Sequence, residues 1–405
     1  MLKVMDIDEI LESLKTQKIE LSSLDKSIMD SEGMTLAEDI VSPCNVPDFR
    51  RSTVDGFAVR HEDLNGASES MPVIIKRIED VYMGKEYLNT ISENQCSYVP
   101  TGGMVPDGAD GVVMVEFTDV IQDDEVIFYS QVSPLQNVIS VGEDVDIGEI
   151  LLNKGRIITP YDIGVVASVG ITKVKVYEKI KLGIISTGDE IVSYDEIPKK
   201  GQVRDVNSHI LVSLLKKKNC NVSFYGIIKD SLESLKETLE NALNECQIVI
   251  ISGGSSVGER DFTIQAISSI ENVDIICHGL AIKPGKPTII AKTGIKIIFG
   301  LPGNPLAVVF VYKSVVEKFL DLINNRDDDI VDFIHAEFTI NYHKAKGREE
   351  FMPVRLEFKD GKIFAEPIMA KSNIISCISM ADGFVSINKN LEGLHRGEIV
   401  KVTRI

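Results

Sequence analysis

The spacing of apolar residues changes along the chain, and each pattern predicts a different kind of structure. Near the amino terminus, "DIDEILESLKT" (residues 6–16) has apolar side chains at helical spacing and predicts a short helix. Between residues 46 and 144, short alternating runs such as "PVIIKRIED" and "GVVMVEF" are separated by Gly, Pro and Asp. Alternation is typical of strands with one buried face, so these residues are predicted to form a β-rich module.

From residue 177 onward, apolar runs alternate with amphipathic segments. The runs "KIKLGIISTG", "NVSFYGIIKD" and "QIVIISGG" are predicted strands, and "NSHILVSLLKKKN", "SLESLKETLENALNE" and "RDFTIQAISSI" are predicted helices. This order predicts a doubly wound α/β domain, in which helices cover both faces of a mostly parallel sheet. "NPLAVVFVYKSVVEKFLDLI" closes that domain as a helix, "NNRDDD" is typical of a linker, and the residues after it are predicted to be all-β.

The predicted fold is therefore multidomain, with α/β and β parts. A length of 405 residues agrees with this, because single hydrophobic cores rarely grow so large. The expected segments are an N-terminal helix with linker segments (1–45), the β-rich module (46–144), a connecting segment (145–176), the α/β domain (177–325) and a small C-terminal β domain (326–405).

Composition narrows the classes of function. The net charge of −18, from 43 Lys+Arg and 61 Asp+Glu, argues against broad binding to nucleic acids or anionic membranes. The six cysteines are dispersed and form no C-x-x-C pair, which is typical of reduced thiols and not of a disulfide framework or zinc site. The first residues do not resemble a signal peptide and no apolar run reaches about 18 residues, so we expect a cytoplasmic protein.

Two Pro-Gly-x-Pro turns flank a predicted hairpin in "IKPGKPTIIAKTGIKIIFGLPGNP" (residues 282–305). Each Pro fixes φ and each Gly permits conformations that other residues avoid, so both turns should be rigid. The first turn carries Lys283 and Lys286, which could be ordinary solvated charges. Their constrained backbone favours a site for a small oxyanion, since one Lys at ~4 Å stabilises a unit anion by about 4 kcal/mol at an effective dielectric constant of 20.

Ligands of a doubly wound sheet bind at the carboxyl ends of its strands. There, "IISGGSSVGERDF" leads from a predicted strand into a predicted helix. Gly253 and Gly254 would let an anion approach backbone N–H groups at the helix start. The alternative is a tight turn in which Asp261 caps the helix.

Acidic residues occupy the same predicted edge of the sheet. The spacing of Thr187 and Glu190, and that of Asp230 and Glu233, fits capping boxes at two helix starts. Taken together, Glu190, Asp230 and Asp261 would also suit Mg²⁺, which binds one or two protein carboxylates beside substrate phosphates.

Two loops of the β-rich module offer further candidates. Asp55 lies in "RRSTVDGFAVR", where Asp-Gly is also an ordinary β-turn signal. Thr101 lies in "VPTGGMVPDGADGVV", a Gly- and Pro-rich loop in which its role could be structural.

These loops together resemble those of the MoeA-type molybdopterin molybdenumtransferases, a family that includes the C-terminal domain of gephyrin. The resemblance spans Ser52 to Phe351 and is most specific in the pair KPGKP and LPGNP. The matching stretches, in family order, are "STVDGFA", "PTGG", "GEDV", "STGDEI", "GGSSVGERDF", "LAIKPGKP", "GLPGNP" and "GREEF".

The resemblance implies an elongated homodimer in which the β-rich module of one chain reaches over the MogA-like molybdopterin-binding domain of the other. It implies that adenylylated molybdopterin and molybdate are substrates, that AMP is released, and that Mg²⁺ takes part. Tungstate has nearly the shape and charge of molybdate and stays open as an alternative. A molybdopterin adenylyltransferase and molybdoenzyme acceptors are the protein partners that such a role implies.

Carried over residue by residue, the resemblance implies three groups of site residues. The β-rich module contributes Asp55, Thr101 and Asp144, and the α/β domain contributes the acidic and metal-binding set Glu190, Asp230 and Asp261. The residues implied to bind the pterin or the oxyanion are Gly253, Gly254, Ser255, Lys283, Lys286, Pro287, Pro302, Pro305, Arg348 and Ser372.

Three other classes of protein are alternatives. A MogA-type molybdopterin adenylyltransferase would share the Gly-Gly loop and the acidic residues but lack the β-rich module and the tail. Competence-damage-induced proteins share a similar α/β domain but not the KPGKP–LPGNP pair. A gephyrin-like scaffold would bind protein segments, and the sequence contains no pattern that indicates a dedicated peptide groove.

Overall fold

The structure is a computed structural model that describes residues 4–17, 19, 21–122, 124–218, 220–253, 262–324, 333–369 and 375–405. The chain divides into two units. The first unit comprises Met1–Leu24, Gly33–Thr35 and Val176–Ile405, and the second comprises Asp25–Glu32 and Leu36–Lys175.

Helices and strands follow the order that the apolar pattern predicts. The α-helices are α1 (Ile7–Lys15), α2 (Pro160–Ser168), α3 (Asn207–Lys216), α4 (Leu232–Glu245), α5 (Phe262–Ser268), α6 (Pro305–Val311), α7 (Glu317–Ile323) and α8 (Ser376–Met380). A π-helical turn, Tyr312–Val316, joins α6 to α7, and short 3₁₀ turns occur at Ile28–Asp30, His61–Leu64 and Val115–Phe117.

The strands up to residue 177 are β1 (Ser23–Ser27), β2 (Ile40–Val41), β3 (Arg51–Ser52), β4 (Gly56–Val59), β5 (Val73–Arg77), β6 (Gln95–Val99), β7 (Gly111–Met114), β8 (Thr118–Gln122), β9 (Glu125–Phe128), β10 (Val138–Ile139), β11 (Ile150–Leu152) and β12 (Lys173–Tyr177). Those that follow are β13 (Ile180–Thr187), β14 (Ile191–Val192), β15 (Val203–Arg204), β16 (Cys220–Ile228), β17 (Ile248–Ser252), β18 (Val273–His278), β19 (Ile282–Lys283), β20 (Ile289–Thr293), β21 (Lys296–Leu301), β22 (Phe333–Phe338), β23 (Tyr342–His343), β24 (Glu349–Lys359), β25 (Lys362–Pro367), β26 (Gly383–Ile387), β27 (Gly393–Leu394) and β28 (Ile399–Arg404).

The α/β sheet of the first unit has the strand order β16-β13-β17-β21-β20-β18. The four strands β16, β13, β17 and β21 are parallel, and the hairpin β20–β21 and strand β18 add antiparallel pairs. Along β13, Leu182 and Ile184 join a core with α1, α3 and α6, whereas Ile185 joins a second core with α4 and α5. Alternate side chains point to opposite faces of a strand, so the predicted doubly wound arrangement is confirmed.

The C-terminal sheet of the same unit has the order β19-β24-β25-β22-β28-β26, and β24 also pairs with β26. Its core includes Phe338, Val354 and Val402. The tail was predicted to be all-β, but it also contains the short helix α8. Strand β19 comes from the KPGKP turn of the α/β part and lies at the end of this sheet.

The second unit contains the predicted β-rich module. Its main sheet has the order β7-β4-β6-β5-β9-β8, and Phe57, Val113 and Phe128 lie in its core. Outside this sheet, α2 begins at a capping box in which Thr159 accepts a hydrogen bond from the backbone of Asp162. Across the described ranges of the chain, every helix is too short or too polar to cross a bilayer.

Candidate functional site

Four parallel strands end side by side at one edge of the α/β sheet, which we name the carboxyl edge. Thr187 at the end of β13 pairs with Ile228 at the end of β16. Ser252 at the end of β17 pairs with Ser186 on one side and with Leu301 of β21 on the other. The loops after these four strands therefore leave the sheet together, as the strand order predicts.

Gly253 is the first residue after β17, and its backbone requires a glycine. Its φ is +110°, and a Cβ at this position would lie 2.1 Å from the backbone oxygen of Thr187. A Cβ on Gly303, in the neighbouring turn, would have the Cα of Gly253 as its nearest atom, 3.7 Å away. Glycine at position 253 therefore allows the chain to pass close to the backbone of Thr187, and a Cβ on Gly303 would be in ordinary contact with Gly253.

The capping box predicted at Thr187 and Glu190 is wrong, because no helix starts there. The chain turns instead into the short strand β14, which pairs with β15. The hydroxyl of Thr187 donates a hydrogen bond of 2.8 Å to Oδ1 of Asp230. Glu190 is exposed, and its backbone carbonyl accepts from the N–H of Val203 at 2.8 Å. Thr187 thus positions an acidic side chain instead of capping a helix.

The helix cap predicted at Asp230 lies one residue further along the chain. Ser231 is the N-cap of α4, and its hydroxyl accepts from the backbone N–H of Ser234. The carboxylate of Asp230 is therefore not used by the helix and stays at the carboxyl edge. Its backbone N–H donates to Oδ1 of Asp189 at 3.2 Å, which brings a further acidic residue to the same place.

The acidic residues described here form only part of the predicted magnesium set. Within the described ranges, no group of three or more His, Cys, Asp or Glu side chains is arranged to hold a metal ion. Asp261 lies outside those ranges, whereas Glu190 and Asp230 lie at the carboxyl edge. Mg²⁺ commonly binds one or two carboxylates and completes its shell with phosphate oxygens and water. The carboxylates at this edge fit that mode of binding.

Buried polar residues at the start of α3 were missed by the sequence reasoning. Asp205, which is 4% exposed, accepts hydrogen bonds from the hydroxyl of Ser186 at 2.7 Å and the N–H of Ser208 at 3.2 Å. The amide of Asn207 donates to the carbonyl of Gly303 at 2.9 Å. The only available signal was Asp and Asn just before a predicted helix, which usually indicates a cap. Here these side chains join the start of α3 to the end of strand β13 and to the loop that contains Gly303.

The second Pro-Gly-x-Pro turn forms the start of α6. Pro302 is buried, and Asn304 caps the helix by accepting from the backbone N–H groups of Leu306 and Ala307 at 3.1 and 3.4 Å. Pro305 is the first helical residue, where its missing N–H costs nothing. This turn follows β21 directly and so belongs to the carboxyl edge.

The first Pro-Gly-x-Pro turn is a closed loop with both lysines on its surface. The carbonyl of Lys286 accepts from the N–H groups of Leu280 and Thr288, at 2.8 and 2.9 Å. The side chain of Thr288 also donates to the carbonyl of Gly285 at 2.7 Å. The strand that follows this loop pairs its first residue with Gly300, so the loop ends beside the carboxyl edge. Pro287 is half-buried within it.

The KPGKP turn is hydrogen-bonded to the part of the chain that carries Arg348. Lys283 is the register partner of Glu350 in the parallel pair β19–β24, and the N–H of Glu349 donates to the carbonyl of Ala281 at 2.9 Å. Arg348 is the residue before β24 and is exposed. The structure therefore brings the predicted lysine turn and the predicted arginine to neighbouring strands of one sheet.

In the second unit, Asp55 and Thr101 are in direct contact. Oδ1 of Asp55 accepts from the backbone N–H of Thr101 at 2.8 Å, and both residues are exposed. Asp144 is also exposed, and its N–H donates to the carbonyl of Val46 at 3.0 Å. No side-chain hydrogen bond among the described residues joins Asp144 to the other two. Four predicted positions lie outside the described residues: Gly254, Ser255, Asp261 and Ser372.

Comparison with protein families matches three consecutive parts of the chain. Residues 5–170 match the MoeA N-terminal region (domain I and II), residues 183–322 match a probable molybdopterin binding domain, and residues 335–405 match the MoeA C-terminal region (domain IV). The first and last matches distinguish the chain from proteins that consist of the binding domain alone.

Individual relatives agree with these matches over nearly the whole chain. A putative molybdopterin biosynthesis protein of Methanocaldococcus jannaschii is 35% identical over 93% of this chain and 90% of its own length. A protein of Haemophilus influenzae named molybdopterin molybdenumtransferase is 31% identical, covering 93% of this chain and 92% of the relative. A crystal structure of a molybdopterin biosynthesis MoeA protein from Pyrococcus horikoshii has a TM-score of 0.86, 35% identity and 99% coverage of both chains. The chain therefore belongs to the MoeA family.

Proposed function

We propose that this chain is a molybdopterin molybdenumtransferase of molybdenum cofactor biosynthesis, which inserts molybdate into adenylylated molybdopterin and releases AMP. The observation that carries the proposal is the pairing of β19 with β24, which holds the lysine turn beside the strand that follows Arg348. A rigid cationic turn at the carboxyl edge of a pterin-binding domain suits a reaction between an oxyanion and a pterin dithiolene. Tungstate is the alternative oxyanion.

The protein's part in this reaction is to position its substrates and balance their charge. Lys283, Lys286 and Arg348 would bind the oxyanion, because each offers cationic donors on an otherwise acidic protein. Ligand exchange at a metal held by two substrate sulfurs needs no protein nucleophile, only correct placement. The remaining groups proposed to contact the pterin or oxyanion are Gly253, Gly254, Ser255, Pro287, Pro302, Pro305 and Ser372.

Mg²⁺ is proposed as the cofactor of adenylate cleavage. Glu190, Asp230 and Asp261 would hold it together with phosphate oxygens of the substrate. When bound, the ion would neutralise charge that develops on the phosphate as AMP leaves. The hydrogen bond from Thr187 to Asp230 supports this role, because it fixes one carboxylate at the edge of the sheet.

We also propose that the active protein is a homodimer, in which Asp55, Thr101 and Asp144 of one chain complete the site of the other. Helix α2 supports this, because it is apolar on most sides and leaves Tyr161 86% exposed and Val165 40% exposed. Such a helix is usually covered by another surface. Sedimentation should give a dimer, and Tyr161→Arg should shift it toward monomer with loss of turnover; a fully active monomer would contradict the proposal.

The proposed activity also implies where the protein acts and which partners it has. We propose a cytoplasmic enzyme with no nucleic-acid or membrane partner, which receives its substrate from a molybdopterin adenylyltransferase and passes its product to molybdoenzymes. The domain limits at residues 46, 145, 177 and 326 are proposed as the functional boundaries. The family matches on both sides of the binding domain favour this reading over a lone adenylyltransferase.

The deciding experiment is a turnover assay with adenylylated molybdopterin, run with molybdate and tungstate in parallel. The wild type should release AMP in an oxyanion-dependent manner, and Asp230→Asn should lower the rate at least about tenfold, typical of removing one group that stabilises a developing charge. Asp274→Asn is the control, since Asp274 is on β18 and its side chain is 66% exposed. Absence of oxyanion-dependent AMP release by the wild type would overturn the proposal.

A further inference from the structure

Glu350 is a buried carboxylate that forms an ion pair with Lys283 of the KPGKP turn. Its Oε1 atom lies 2.8 Å from Nζ of Lys283 and accepts a hydrogen bond of 2.7 Å from the hydroxyl of Tyr342. The residue is only 8% exposed, whereas the side chain of Lys283 is 54% exposed. The ammonium group thus reaches solvent while its inner side contacts an anion.

Backbone pairing makes this contact a fixed feature of the fold. Lys283 and Glu350 are register partners in β19 and β24, so their side chains meet without a long excursion of either one. Burial, and then the hydrogen bond to Glu350, raises the pKa of Tyr342 to about 12, which keeps its hydroxyl protonated as a donor. The carboxylate therefore has two neighbours that hold it in one position.

The charges around the turn differ in whether they are paired. Lys283 is paired with Glu350, while Lys286 and Arg348 form no ion pair within the described ranges and are both exposed. Glu350 therefore offsets one of the three positive charges of Lys283, Lys286 and Arg348.

We propose that Glu350 is a positioning residue of the oxyanion site that also limits the site's affinity for anions: it holds Lys283 in place and offsets part of the positive charge around it. This inference rests on the proposed function, because it deepens the oxyanion site assigned there. The Coulomb energy between Glu350 and a bound anion is proportional to the anion's charge. Glu350 therefore repels every anion in the site, but it repels a dianion twice as strongly as a monoanion.

Glu350→Gln separates charge from shape. Gln keeps an oxygen that can accept from Lys283 and Tyr342, but it removes the negative charge. The affinity for molybdate should rise about tenfold, and the affinity for perrhenate, a tetrahedral monoanion, should rise only about threefold, since its logarithmic change is half as large. A change that arises from hydrogen bonding or packing alone would affect both anions equally.

Two control variants test position and charge in turn. Tyr342→Phe keeps the carboxylate and removes only its hydroxyl neighbour, so the charge of the site is unchanged and both affinities should stay within about twofold of the wild type. Glu357→Gln removes an exposed carboxylate from the same strand β24, seven residues or about 23 Å further along. At that distance, screening by salt should leave both affinities unchanged.

The experiment is isothermal titration of the full-length protein with sodium molybdate and sodium perrhenate, without pterin. If Glu350→Gln does not fold, Lys283→Gln and the double variant with Glu350→Gln replace it: the single variant should lose molybdate affinity and the double should recover it. The inference is overturned if molybdate affinity fails to rise in Glu350→Gln, if perrhenate gains as much as molybdate, or if the double variant stays as weak as Lys283→Gln. A wild type that neither binds molybdate nor turns over would instead refute the proposed function.

Discussion

The two Pro-Gly-x-Pro turns of this chain have nearly the same sequence but different structural roles. In KPGKP, the backbone folds into a closed loop and both lysine side chains are exposed. In LPGNP, Pro302 is buried, the side chain of Asn304 caps the helix and Pro305 begins α6. The first turn exposes its two lysine side chains, whereas the second uses its Asn side chain to cap a helix.

The glycines of the two turns differ in how much space surrounds them. Gly285 has a φ of +121°, and a Cβ there would lie 2.6 Å from Cδ1 of Ile282 and 2.9 Å from Cγ2 of Val311. A Cβ on Gly303 would lie no closer than 3.7 Å to any other atom, which is ordinary contact. A short motif therefore does not determine its own role, because the surroundings decide which of its atoms are free to meet a ligand.

The largest expected effect distinguishes the two glycines. Gly285→Ala should lower the free energy of unfolding by about 2 to 5 kcal/mol, from strain at positive φ plus overpacking against buried side chains. Urea unfolding followed by circular dichroism measures this loss. Gly303→Ala is the matched variant and should cost less than about 1 kcal/mol, the ordinary range for a tolerated substitution. Equal losses in the two variants would show that the turns are not distinct.

The next largest effect tests Lys286, the exposed lysine of the first turn that forms no ion pair among the described residues. Lys286→Ala should raise the molybdate concentration for half-maximal insertion by about ten- to a hundredfold, the value of roughly 1.4 to 3 kcal/mol for a hydrogen bond to a charged group. Arg348→Ala should behave similarly. Titration with molybdate at saturating adenylylated pterin gives these values, and calorimetry gives the pterin affinity separately. An equal loss of pterin affinity would assign Lys286 to the phosphate or nucleotide instead.

The smallest effect concerns the cap of the second turn. Asn304→Ala should lower the free energy of unfolding by about 1 kcal/mol, the usual cost of losing an N-cap. Molybdate dependence should stay near that of the wild type, since Asn304 is used by the helix and not by the oxyanion. Thermal unfolding and the same molybdate titration check both parts. A large shift in molybdate dependence with unchanged stability would mean that the second turn also presents a side chain.

Much of the fold could be predicted from the sequence because its signals are local. The runs that became β13 and β17 are apolar on both faces, and helical spacing gave α1 and α4 to within a residue or two. The hairpin between the two turns followed from its flanking prolines in the same way.

Contacts between distant residues could not be predicted. The spacing of Thr187 and Glu190 satisfied a capping box, but β13 ends beside β16 and the hydroxyl of Thr187 meets Asp230 instead, 43 residues away. The Lys283–Glu350 pair likewise depends on strand register across two domains, which no local pattern encodes. Asn207 was overlooked because its partner, the carbonyl of Gly303, is a backbone group without any sequence signature.

The pairing of β19 with β24 also bears on how such a chain can be recombined. The family matches separate residues 183–322 from residues 335–405, and a graft between relatives would naturally be cut between them. That cut would carry Lys283 with one parent and its register partner Glu350 with the other. A chimaera joined between residues 322 and 335 would contain both modules intact, but its lysine loop would pair with a strand from a different parent. Strands β19 and β24 should therefore be taken from the same parent.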